Sequence, residues 1–121
     1  MLTDGVFSCQ FEVYGKVQGV YFRHHAMMKA KTLGLRGWCM NTAKGTVRGY
    51  MEGRRHEIDV MKEWLKTTGS PGSNVERVKF SRKREKEGYG FPNFQVRSDA
   101  AIIKKQQISK KNPISNSGIS R

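Results

Sequence analysis

The run Gly15-Lys16-Val17-Gln18-Gly19-Val20-Tyr21-Phe22-Arg23 is where this sequence concentrates the means to hold an anion. It joins a stretch of alternating hydrophobicity to the start of a helical pattern. Backbone N–H groups of such a junction have no helical partners and point outward together. Glycine lets the chain approach a phosphate closely. Arg23 falls in the first helical turn, where a cation opposes the helix dipole. A guanidinium there bonds two phosphate oxygens at once. An ordinary glycine turn beside a surface arginine fits the spacing equally well. The run contains no Gly-Lys-Ser/Thr and no GxGxxG, so nucleotide binding through those motifs is disfavoured.

The second group is Gly37-Trp38-Cys39-Met40-Asn41, followed by Gly45, Val47 and Gly53. Asn41 is unusual in an apolar strand. It either initiates the turn that follows or holds a water through an amide that accepts and donates in one plane. His24 and His25 point about 100° apart on a helix and do not converge as metal ligands. They read as solvent or packing residues, and His56 as surface. Ser8, Ser70 and Ser73 lack a nucleophile-elbow context. Cys9 and Cys39 sit in apolar runs and read as reduced core residues. Met27, Met28, Met51 and Met61 read as core or core rim. There is no carboxylate cluster for a metal, and no cofactor is expected.

The elements that must position these groups follow from periodicity. Phe7, Cys9, Phe11 and Val13 alternate as on a strand. Phe22, Ala26, Ala30 and Leu33 recur at helical spacing over residues 22–33, and Gly34 is suited to end that helix. Residues 35–42 and 46–52 predict two strands joined through Gly45. Residues 54–67 predict a second helix, with Ile58, Met61, Trp64 and Leu65 in one stripe. Residues 75–86 predict one highly charged strand at an exposed or edge position. Phe94 and Val96 make a last short strand. This order predicts an α+β fold: a ferredoxin-like split βαβ sandwich, mostly antiparallel, with two helices on one face.

The 121 residues suit a single domain, expected over 7–98, with residues 1–6 as an N-terminal extension. From residue 99 the sequence predicts a disordered basic tail. Residues 100–121 hold Lys104, Lys105, Lys110, Lys111 and Arg121, no acid and no aromatic. The formal net charge of +13 favours anionic partners. No signal peptide or membrane-spanning run is evident, and a cytoplasmic, reducing location is expected.

The two chemical groups together are similar to the two signature segments of the acylphosphatase family. Gly15, Val17-Gln18-Gly19-Val20 and Phe22-Arg23 match the first, and Gly37-Trp38, Asn41, Gly45, Val47 and Gly53 the second. The resemblance covers about residues 5–98. It implies hydrolysis of the carboxyl–phosphate bond of acyl phosphates without a metal. Arg23 would bind the substrate phosphate, backbone N–H groups of Gln18, Gly19, Val20, Tyr21 and Phe22 would cradle it, and Asn41 would orient the attacking water. Phosphate or sulfate would inhibit and a monomer would suffice; separately, the composition of the basic tail suits weak binding to anionic surfaces. Two rivals are weaker. Arg48-Gly49-Tyr50 faintly resembles an RNA-recognition motif, but a further aromatic is missing after it. An inactive anion-binding module would be expected to lack Arg23 or Asn41.

Overall fold

The computed structural model describes residues 5–98. Eight elements follow in order: β1 (Val6–Lys16), α1 (Phe22–Thr32), β2 (Arg36–Asn41), β3 (Val47–Gly53), α2 (Arg55–Thr67), β4 (Asn74–Phe80), β5 (Arg84–Lys86) and β6 (Phe94–Arg97). The sheet runs β4-β1-β3-β2-β6, with β5 also paired to β1. All pairings are antiparallel except that of β2 with β6. This is the ferredoxin-like α+β architecture that the order of periodicities predicts. The tail from residue 99 and most of the 1–6 extension lie outside the described residues.

One sheet face and the two helices share the core. Cys9, Phe11 and Val13 meet Phe22, Ala26 and Ala30 of α1 and Ile58, Met61 and Leu65 of α2. α1 ends as the sequence suggests. Gly34 is left-handed at φ 73°, its N–H bonds the Lys31 carbonyl, and the Leu35 N–H bonds that of Ala30. Both orphan carbonyls are thus satisfied. Gly49 is required by close approach, since any Cβ there would overlap the ring of Phe11.

Two expectations need correction. The charged strand over 75–86 is two strands, broken at residues 81–83. Ser81 keeps one backbone bond to β1, from its N–H to the Gln10 carbonyl at 3.0 Å. However, the returning Gln10 N–H is taken by the Ser81 hydroxyl at 2.8 Å. A side chain replaces a ladder carbonyl, and the pairing starts again at Arg84. The edge position of β4 does hold. Met28 is the second correction. It is 51% exposed, because its place on α1 turns it away from the stripe formed by Phe22, Ala26 and Ala30.

The buried carboxylate of Glu52 was not anticipated from the sequence. It accepts from the Tyr50 hydroxyl at 2.8 Å and from Lys86 Nζ at 3.0 Å on one oxygen. The other oxygen accepts from the Gly90 and Phe91 N–H groups at 2.7 and 2.8 Å. Burial alone would raise its pKa, but these four donors outweigh burial and hold it below the ordinary 4.5. A depressed folded pKa contributes stability that is present above the unfolded value and lost as pH falls through the folded one. Melting temperature should therefore drop as pH is lowered below 4.5. Glu52→Gln should lower stability at neutral pH by about 2–4 kcal/mol and flatten that acid limb. An unchanged acid limb in the variant would assign it to other carboxylates, such as Glu12.

Candidate active site

The loop between β1 and α1 is held in an unusual conformation. Gly19 has φ 76° and Tyr21 φ 57°, the latter being the one non-glycine with positive φ among the described residues. A tyrosine in this region costs roughly 1–2 kcal/mol. Alternating handedness is the backbone pattern that, in nests, turns successive N–H groups toward one point. Among the described residues, no N–H from Gln18 to Phe22 is bonded to a carbonyl or side chain. The first turn of α1 carries no acidic residue, so its positive end is uncompensated and Arg23 adds to it.

Long-range bonds fix the loop in place. The Gln18 side-chain amide donates to the carbonyls of Thr42 and Thr46 at 2.8 and 2.9 Å. Those threonines close the β2–β3 hairpin directly after Asn41. Their hydroxyls lie 2.6 Å apart, and that of Thr46 donates to Glu12 at 2.6 Å. This hydroxyl is the main cause holding the Glu12 carboxyl below its ordinary range, against burial and with help from Lys44. The β1–α1 loop and the strand end bearing Asn41 are therefore one braced unit.

Arg23 and Asn41 line the same cleft, about 460 Å³ in volume, together with Val17, Gly19, Tyr21, Phe22, His24, Met27 and Val96. Arg23 Nη1 donates to the Arg97 carbonyl at 3.1 Å, which ties the guanidinium to β6. Asn41 Oδ1 is buried and has no hydrogen-bond partner. A buried unpaired acceptor costs about 1–3 kcal/mol, so it is poised to accept from a ligand or a water. His24 is exposed at the mouth of the cleft, which spacing alone did not indicate. His25 keeps Nδ1 3.0 Å from the Tyr21 carbonyl oxygen, and exposed His56 contacts Glu57.

Other nucleophiles are silent. Cys39 Sγ lies 3.8 Å from the Arg23 carbonyl oxygen, and burial pushes its thiol up to about 12, outweighing the opposing charge of Arg23. A neutral, buried thiol is inert. Cys9 is raised by burial as well. Among the described residues no three His, Cys, Asp or Glu side chains gather as for a metal ion. Nor is any helix among them long and apolar enough to cross a membrane.

The expectation for Gln18 concerns its backbone N–H, whereas its side chain braces the loop. Its side chain was legible only as a polar residue in a glycine turn. The reach to Thr42 and Thr46 spans 24 and 28 residues and leaves no local pattern.

Comparison with known proteins identifies the family. A family profile described as acylphosphatase matches residues 9–96. Acylphosphatase-1 of Drosophila melanogaster is 64% identical over 99 residues, covering 82% of each chain. Acylphosphatase-1 of Homo sapiens is 40% identical over 89 residues, which is 74% of this chain and 90% of that one. A solved acylphosphatase structure from Coxiella burnetii superposes with a TM-score of 0.69 at 33% identity, over 80% of this chain and all of that one. With family profile, relatives and fold in agreement over the segment that builds the cleft, the chain belongs to the acylphosphatase family of hydrolases, whose substrates are acyl phosphates.

Proposed function

We propose that the cleft holds the phosphate of an acyl phosphate between Arg23 and the N–H groups of Gln18, Gly19, Val20, Tyr21 and Phe22, while Asn41 orients the attacking water. The observation that carries this reading is the buried, unpaired Asn41 Oδ1 in the same cleft as the unpaired N–H run. The water oxygen attacks phosphorus, and the bond from phosphorus to the acyl oxygen breaks. The carboxylate leaves with that electron pair. The water proton passes to a phosphate oxygen, so the products are a carboxylate and inorganic phosphate. Carboxylates leave readily, and the barrier is chiefly one of positioning and charge neutralisation. Fixed N–H dipoles and one guanidinium supply both.

No metal is assigned to this step. Inorganic phosphate and sulfate match the cradle and act as competitive inhibitors in this reading. A single chain contains every group invoked, so a monomer suffices. Cys9 and Cys39 are both free and buried, which suits the reducing environment of the cytoplasm.

The test is turnover of a small aromatic acyl phosphate with a chelator present, beside a simple phosphate monoester. Chelator-resistant hydrolysis of the acyl phosphate, with the monoester hardly cleaved, is expected. Loss of turnover with chelator, or equal cleavage of the monoester, would reject the reading.

A further inference from the structure

The helices cover one face of the sheet; on the other, residues 86–91 fold over Glu52 and Tyr50, with Phe91 5.3 Å from the Tyr50 ring, and the part bearing Lys79 and Arg48 stays exposed. Strand alternation puts Asn41 toward the helices and Met40 on that other face. The register then runs a continuous row across five strands: Lys79, Glu12, Arg48, Met40 and Arg97. The next row on the same face is Gln10, Tyr50, Trp38 and Gln95. Three cations thus border a central aromatic pair. The rows are roughly 7 Å apart, two residues along a strand.

Charge and ring contacts reinforce the pattern. The Arg97 guanidinium lies 4.4 Å from the centre of the Trp38 ring, and Lys86 Nζ 5.7 Å from that of Tyr50. Towards the sheet edge, Arg77 lies 4.1 Å over Tyr14. The carboxylates on this face are already engaged, Glu12 with Lys44 at 3.6 Å and Glu52 with Lys86 at 3.0 Å. A hollow of about 240 Å³ opens between Arg48 and Lys79.

We propose that the exposed part of this sheet face binds single-stranded nucleic acid, with backbone phosphates on Arg48, Lys79 and Arg97 and a base stacked against Trp38 and the guanidinium plane of Arg97. Phosphates demand the cations, and unpaired bases demand flat partners, rings or guanidinium planes. A flat sheet has no ridge to enter the major groove of a duplex. A lipid surface would match the charge, but the half-buried Trp38 does not project from the sheet to anchor among headgroups. The Arg48-Gly49-Tyr50 run lacks a following aromatic along its own strand, but β2 supplies one as Trp38 beside Tyr50. This site is separate from the cleft and does not depend on the reaction assigned there.

The experiment uses the full chain and a labelled oligouridylate of about 12 nucleotides, a length within the range single-strand sites cover. Anisotropy should report binding whose logarithmic salt slope is roughly −2 for three phosphates. A duplex of equal length and phosphatidylserine vesicles should bind more weakly. The double variant Arg48→Glu, Lys79→Glu should weaken binding by about tenfold or more and shrink the slope by roughly 1.4. It should retain acyl phosphate hydrolysis, which shows that it folds. Stacking should quench the fluorescence of Trp38, and Trp38→Phe should remove that quench, because Trp64 lies on the helix side against Phe22. Unchanged affinity after charge reversal would place binding elsewhere, such as in the basic residues beyond 98, and overturn the proposal. Equal affinity for duplex or vesicles, or a quench that survives Trp38→Phe, would do the same.

Discussion

Arg23→Ala should lower kcat/KM for an acyl phosphate by on the order of 10³ or more, equivalent to about 4 kcal/mol of transition-state stabilisation. The expectation rests on position. Arg23 is the cation lining the cleft, and it stands where the first turn of α1 already directs positive potential. The same side chain donates to the Arg97 carbonyl, so its removal also loosens β6. That bond is worth about 1–2 kcal/mol of stability, which lowers the melting temperature but leaves nearly all molecules folded under assay conditions. The two effects separate on measurement. Melting temperature reports the tie to β6, while kcat/KM and phosphate affinity report the cleft. Arg23→Lys keeps the charge but loses the planar two-toothed geometry, and little activity should return. A loss of tenfold or less in Arg23→Ala would remove this residue from the chemistry and leave it as a brace for β6.

Asn41→Ala should abolish measurable turnover and leave phosphate binding nearly intact. In the proposed arrangement Asn41 holds water, whereas the cradle and Arg23 hold phosphate. The variant also deletes a buried acceptor with no partner, so it should not destabilise the fold and may be compared directly with the parent chain. Phosphate titration beside steady-state kinetics decides the matter. Affinity and activity falling in parallel would contradict the division of labour. Asn41→Asp sharpens the comparison, because a carboxylate in the cleft repels the anion and should weaken phosphate binding where alanine does not.

Much of the cleft is a local matter, and that is why it can be read from the chain. The Gly15–Arg23 run, the cap at Gly34 and the hairpin through Gly45 depend on residues close in sequence, whose conformational limits act wherever they stand. Alternation in β1 and the stripes of α1 and α2 likewise assign inward faces before any partner is known. Arg23 and Asn41 were nameable from type, spacing and resemblance.

What only the tertiary structure decided lies in pairings between distant segments. Parallel docking of β6 on β2 brings the Arg97 carbonyl to the Arg23 guanidinium, and nothing near either residue encodes that meeting. The Gln18 side chain became a brace, and the Asn41 oxygen an unpaired buried acceptor, because the β2–β3 hairpin closes against the β1–α1 loop. Ser81 broke a strand that periodicity drew as continuous, since its hydroxyl competed for the Gln10 N–H. Glu52 could be buried as an anion because Lys86, Gly90 and Phe91 return to it from 34 to 39 residues away. The rows of cations and rings on the face away from the helices exist only once five strands share a register. Local sequence sets what each residue is able to do, and strand pairing chooses which neighbours it does it with.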